Sequence, residues 1–376
     1  MRPTGAPAER PLRFEGGPFE RGRAQAGARP DLAAAVRAAV ELRLREVEGA
    51  LERPEVRAFL DGQRAATERY HPEALAEIEG IGAGFGVAPA RLFAFLHTST
   101  IGDLLASRQD FAEGCTSFAV RAGGGALLAK NRDYRDEHRA LQQVMLHRPA
   151  DGRSFLVVGS LGAPGCFSSG INADGLALAD TATHSRDLGP GLHRYFLLTL
   201  LLQRCASVEE ALATIRAMPH TGGGCLVLAD ARGALAAVEL GHRAVGIERG
   251  EAGRIGRTNH HRLPGTAPGN LLTEANAGAH GNSIARAAVL GLALDRLARA
   301  PEVDAVGALL ARHADADGPA FCRLGEGYLA ATISGAVFDT GARRLFFCAG
   351  PPCSGAWRRF ELQARDAPSD CGSSVP

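Results

Sequence analysis

The chain has 376 residues, 45% of them hydrophobic, enough to bury a large core in one or two domains. Lys and Arg total 42 against 41 Asp and Glu, a formal charge of +1, which excludes a strong overall pull toward nucleic acid or an anionic membrane. Eight irregularly spaced cysteines without a CxxC pair argue against a disulfide scaffold and structural zinc, so neither metal nor cofactor is expected.

The N-terminal sequence lacks the apolar run and small-residue cleavage signature of a secretory signal, and no stretch of about 20 apolar residues follows, so a cytoplasmic location is expected. PLRFEG reads as a strand running into a glycine-spaced turn. DLAAAVRAAVELRLREVEGALE, PEALAEIEGIGAGFGV and PARLFAFLHTSTIGDLLA carry apolar residues at helical spacing, which makes the part of the chain before Cys115 mainly helical. From Cys115 the texture changes. CTSFAVRA, ALLAKNRDY, SFLVVGS, LALADT, CLVLAD, ALAAVEL, ATISGAVFD and RRLFFCAG read as strands, interrupted by helices over GLHRYFLLTLLLQRCASVEEALATIRAM and SIARAAVLGLALDRLARA. The pattern is that of an α+β protein with a helical N-terminal segment. Three parts are expected: a helical leader over 1–114, a catalytic body over 115–364 and a flexible tail over 365–376. GTAPGNLLTEANAGAHGN reads as a mobile rim or a packed Ω-loop.

The most informative segment is EGCTSFAVRAGGGALLAKNRDYRD, two strand-like runs around Gly123, Gly124 and Gly125. If Gly124 is the apex of the hairpin, Cys115 faces Asp133 directly, and the thiol and carboxylate become neighbours; a slip of one residue would put them on opposite faces. Lys130, the only lysine in the chain, falls on the other face from Asp133 and needs a twist or bulge to reach the thiol.

A cysteine inside a chain needs a neighbouring base to become a nucleophile at neutral pH. Cutting the bond before it supplies one, because the new α-amino group titrates near 7.7–8 and can take the thiol proton. The thiol can make that cut itself by attacking the Gly114 carbonyl and shifting the acyl group from nitrogen to sulfur. Glycine suits this place, since it tolerates unusual dihedrals near the attacked carbonyl.

GCTSFAV, AKNRDY, GINADGLALA, CLVLADARGALAAVEL, RTNHH and NSIAR, in that order, resemble the isopenicillin N acyltransferase group of N-terminal-nucleophile hydrolases (peptidase family C45) and, more distantly, the choloylglycine hydrolases. The resemblance covers most of the chain. It implies a four-layer αββα sandwich, self-cleavage between Gly114 and Cys115 and an acyl-thioester intermediate. It also implies that Cys115 is the nucleophile and Asp133 the carboxylate beside it, and that Asn259 positions the amine or stabilises the oxyanion. Lys130 falls near a cation that choloylglycine hydrolases carry as arginine. Arg286 matches an arginine near the substrate pocket, and Ser283 a serine linked to processing. No asparagine follows late in GINADGLALADTATH, which leaves Thr181, Thr183 or a backbone amide as a further oxyanion donor.

The function expected is that of a self-cleaving cysteine amidohydrolase or acyltransferase. Its partner is a small-molecule amide or acyl-thioester, acyl-CoA or a carrier-bound acyl group among them, with no nucleic acid and no membrane; the oligomeric state stays open. Two alternatives stand beside it: a papain-like thiolate paired with a histidine such as His260 in an uncut chain, and a non-catalytic relative that binds an amide or peptide. His260 and His261 point to opposite sides if they lie on a strand, which argues against a metal pair.

Overall fold

The computed structural model describes residues 2–106, 114–316, 318–325 and 330–362. The tail expected over 365–376 lies outside them. Fourteen strands are found among the described residues: β1 (Leu12–Gly16), β2 (Thr116–Ala122), β3 (Gly125–Tyr134), β4 (Gln142–Pro149), β5 (Phe155–Ser160), β6 (Ser169–Asn172), β7 (Ala177–Ala182), β8 (Gly224–Ala229), β9 (Leu235–Leu240), β10 (Val245–Arg249), β11 (Arg254–Arg257), β12 (Ala331–Asp339), β13 (Arg344–Ala349) and β14 (Ala356–Glu361). They form two sheets, β1-β4-β5-β6-β7-β8-β9-β10 and β11-β2-β3-β12-β13-β14. All pairings are antiparallel except that of β1 with β4.

Strand alternation decides how the layers stack. Ala119 and Leu128 of the six-stranded sheet face Leu156, Val158, Ile171 and Val227 of the eight-stranded sheet, and together they form the core between the sheets. Their neighbours Phe118, Val120, Leu127 and Ala129 point the other way, onto the helices Ala277–Arg296 and Val303–Leu310. The far face of the eight-stranded sheet carries the remaining helices, with Phe155, Val157, Leu178 and Val238 packed against Ile81, Phe93, Leu198 and Leu212. The order is helix, sheet, sheet, helix, the four-layer αββα sandwich expected.

The leader is built into this body. β1 forms an edge of the eight-stranded sheet, and Phe14, Val36, Leu44, Ile78, Ile81, Phe85, Leu92 and Phe93 belong to the same core as Leu198 and Val238. At roughly 1.5–3 kcal/mol for each large apolar side chain buried, this attachment exceeds about 10 kcal/mol, so a cut after Gly114 would not by itself release the leader.

Several local expectations shift. The glycine-spaced turn after β1 is the helix Pro18–Ala28, whose Pro18 at the first turn needs no intrahelical N–H partner. The long helix read over 191–218 is two helices, Arg194–Arg204 and Val208–Arg216, the second N-capped by the Ser207 hydroxyl. The segment read as a rim or Ω-loop holds a short turn at Ala267–Gly269 and then enters the helix beginning at Ala277. No helix among the described residues is long and apolar enough to cross a membrane.

Candidate active site

The hairpin of β2 and β3 has a two-residue loop, Gly123–Gly124, with Gly124 at φ 84° in the left-handed region open to glycine. Ala122 pairs with Gly125 and Thr116 with Asn131, one residue out of register from a hairpin centred on Gly124. One step beyond the strand, Cys115 therefore stands level with Arg132 rather than Asp133. This corrects the direct thiol–carboxylate pairing expected from the glycine count, and the reason is loop length: three glycines are present, but two make the turn.

The slip sorts the charged residues of β3 onto two faces. Lys130 and Arg132 point between the sheets, where with Phe167, Asp180, Arg194 and Tyr195 they line a cavity of about 20 Å³ that Cys115 also lines. That is room for about one water. Lys130 thus reaches the thiol's side without the bulge expected for it; the irregularity in this part of the sheet, between Thr332 and Ser334, lies in β12. Its ammonium donates to Asp180 Oδ1 at 2.5 Å and to the carbonyls of Asp180 at 2.6 Å and Ser168 at 3.4 Å. Asp180 Oδ2 accepts from Arg194 Nε at 3.0 Å. Burial pushes the Cys115 thiol above its ordinary pKa; Lys130 pulls it down, whereas Asp133 and Asp180 push it up. The thiol's own hydrogen bond goes to the backbone carbonyl of Asp133, at 3.6 Å.

On the outer face, the Asp133 carboxylate accepts from Thr332 Oγ1 at 2.6 Å and lies 3.4 Å from Arg323 Nε. Burial raises its pKa while Arg323 lowers it, followed by Thr332, Arg286 and Lys130. The same pair closes over Gly114: a Cβ there would come 2.0 Å from Arg323 Nη1 and 2.8 Å from Asp133 Oδ2. Gly114 is not among the glycines with positive φ, so the close approach of these two groups, and not backbone freedom, favours glycine here.

Arg286, fully buried in the helix Ala277–Arg296, joins the remaining residues. Its Nη1 donates to the Cys115 carbonyl at 2.9 Å and to Thr116 Oγ1 at 2.8 Å, and its Nη2 to Asn259 Oδ1 at 2.8 Å. Asn259 follows β11 and donates through Nδ2 to the carbonyl of Ala182, another lining residue of the cavity, at 2.9 Å. Asn282 Oδ1 receives both Arg286 Nε, at 2.9 Å, and Arg323 Nη2. A continuous polar chain therefore runs from Asp133 through Arg323, Asn282 and Arg286 to Asn259 and the Cys115 carbonyl.

Ser283 Oγ accepts from the backbone N–H of Asn259 at 2.8 Å and sits 2.8 Å from His260 Nδ1. His260 is thus engaged with Ser283, burial lowers its pKa to about 4, and no histidine lines the Cys115 cavity among the described residues. The papain-like pairing loses its geometry. The Thr181 hydroxyl donates to the Thr258 carbonyl at 2.6 Å and that of Thr183 meets the Cys225 sulfur at 3.5 Å, so both are engaged away from Cys115. No three His, Cys, Asp or Glu side chains converge as a metal site among the described residues.

Residues 120–299 match the family described as acyl-coenzyme A:6-aminopenicillanic acid acyl-transferase. The match agrees with the resemblance read from the sequence motifs. The matched segment contains Lys130, Asp133, Asn259 and Arg286 and begins after Cys115. Among solved structures the fold is similar to a mutant of conjugated bile acid hydrolase from Clostridium perfringens, with 12% identity over 66% of this chain and 97% of that one and a TM-score of 0.44. It is also similar to penicillin V acylase from Agrobacterium tumefaciens, with 16% identity over 62% and 83% of the two chains and a TM-score of 0.41. No curated protein gives a significant match.

The residues that sequence reasoning missed are Asp180, Arg194, Arg132, Arg323, Asn282 and Thr332. Asp180 left a signal, the one charge inside the apolar run LALADT, since a buried carboxylate requires cations. Arg323 left none.

Proposed function

We propose that this protein is a self-cleaving cysteine amidohydrolase or acyltransferase whose nucleophile is Cys115. The observation that carries the reading is the junction itself: a buried thiol stands immediately before β2, its carbonyl is clamped by Arg286, and a side chain on the residue before it would run into Arg323 and Asp133. In the uncut chain the thiol attacks the Gly114 carbonyl, and the C–N bond breaks with the proton passing to the departing nitrogen. Water then hydrolyses the thioester. The products are residues 1–114 and a catalytic chain that begins at Cys115.

The new α-amine takes the thiol proton that burial otherwise holds in place. The thiolate adds to an amide or thioester carbonyl, the tetrahedral intermediate collapses as the amine or thiol leaves with a proton, and water or an amine resolves the acyl-cysteine. Lys130 stabilises the thiolate from the cleft. Asp133, beside Gly114, pairs with the α-ammonium rather than with the thiol. Asn259 retains a second amide N–H that can meet a developing oxyanion, and Arg286 fixes its orientation. The substrates are small acyl compounds, with acyl-CoA among the donors the family's description suggests.

The test is a screen of N-acyl amides and acyl-thioesters by mass spectrometry. An acyl adduct on the Cys115 peptide, absent from Cys115→Ala along with all turnover, is expected. Turnover retained by Cys115→Ala would refute the reading.

A further inference from the structure

Among the charged side chains of the Cys115 cavity between the sheets, one carboxylate is shared by two cations. Asp180 is held by Lys130 on one oxygen and Arg194 on the other. Arg132 has no such partner. Its side chain is buried, and its Nη1 donates to two neutral oxygens, Gln142 Oε1 and Ser160 Oγ, both at 3.1 Å. The guanidinium lies over the rings of Tyr134, at 4.9 Å, and Phe167, at 5.5 Å, both of which line the Cys115 cavity. No carboxylate among the described residues pairs with it, and its Nε and Nη2 edge has no acceptor. A buried charge without a counter-ion is costly, and a planar fork with one edge unused matches a carboxylate.

We infer that Arg132 is the anion-recognising group of the Cys115 cleft, and that the compound this cleft takes carries a carboxylate close to the acyl carbon that Cys115 attacks. Calling that compound a substrate rests on the function proposed above; the binding of a carboxylate does not. Lys130 cannot serve instead, because its donors are occupied by Asp180 and Ser168. The two rings beneath it and its bonds to Gln142 and Ser160 hold the guanidinium in place, so a carboxylate bound through it has a fixed direction relative to the thiol. The carboxylate belongs to the acyl part or to the amine part, and a direct comparison separates the two.

The test alkylates Cys115 in the purified protein with iodoacetate, an anion, and with iodoacetamide, its neutral counterpart, and takes the ratio of the two rates from the mass of the Cys115 peptide. A change in thiolate population affects both reagents alike and cancels in the ratio, so the ratio reads recognition of the carboxylate alone. In Arg132→Gln it is expected to fall by about tenfold or more, as for the loss of a charge-assisted hydrogen bond, and in Arg132→Lys by less. In the wild type, N-butyrylglycine or N-methylsuccinamic acid should protect Cys115 from iodoacetamide better than its own neutral amide; the one that protects identifies the amine or the acyl side. An unchanged ratio in a folded Arg132→Gln overturns the inference. So does a wild type in which Cys115 ignores both reagents, or in which neither acid protects better than its amide. A chain that is uncut and forms no acyl adduct, yet still prefers iodoacetate through Arg132, would defeat the proposed function and leave the anion site standing.

Discussion

Among the described residues, on the outer face of β3 Asp133 has one close counter-ion, Arg323; on the inner face Asp180 has two, Lys130 and Arg194, and Arg132 has no carboxylate. The same strand thus buries an acid with a single direct partner on one side and an excess of positive charge on the other. The outer arrangement is suited to holding the chain junction still, because Arg323 and Asp133 close over Gly114. The inner one is suited to attracting negative charge, whether a thiolate or a ligand. Redundancy of partners decides how each face answers to substitution.

The largest effect is expected for Arg323→Met. It leaves Asp133 buried without its direct counter-ion, which costs about 3–5 kcal/mol of stability. Urea unfolding checks this, and a loss smaller than that of Lys130→Met would reverse the comparison. Lys130→Met leaves Asp180 paired with Arg194, so its cost is smaller, about 1.5–3 kcal/mol for hydrogen bonds to a charged group. It should also slow alkylation of Cys115, because the cation that lowers the thiol pKa is gone. Thr332→Val removes one hydrogen bond from Asp133 and the acceptor of the Arg323 backbone N–H while the Arg323 side chain stays, and about 1.5 kcal/mol is expected by the same measurement.

The pH dependence sharpens the contrast. Burial holds the Asp133 carboxyl above its ordinary pKa of 3.8 despite Arg323. The folded chain therefore keeps that proton more tightly than the unfolded chain, and this group's contribution to stability falls as pH rises from the ordinary value through the raised one. Arg323→Met raises the carboxyl further, so its deficit should be smallest in acid and grow toward neutral pH. Melting curves between pH 4 and pH 7 test it; a deficit that does not change with pH would show that the carboxylate is not its source.

Much of this architecture was legible in the sequence. The alternation of CTSFAVRA and ALLAKNRDY, with glycines between, marked the hairpin, and the helical spacing of the leader marked its layer. The register was not legible, because three glycines allow more than one two-strand pairing and only the loop closing on Ala122 and Gly125 settles it. That one residue moves Asp133 away from the thiol and brings Lys130 and Arg132 toward it. Asn259 and Arg286 were named from family motifs, but their meeting at the Cys115 carbonyl depends on how the helix Ala277–Arg296 packs, which local sequence does not encode. Arg323 lies far along the chain in a segment without periodic pattern, and nothing short of the folded structure brings it to Gly114.

The central claim is that the bond between Gly114 and Cys115 breaks to make the nucleophile. Intact-mass analysis of the purified protein, followed by sequencing from each N-terminus, tests it most directly. Two associated chains are predicted, the second beginning with Cys115, with Cys115→Ala remaining a single chain. A wild-type protein that turns over amides as one uncut chain would contradict the claim.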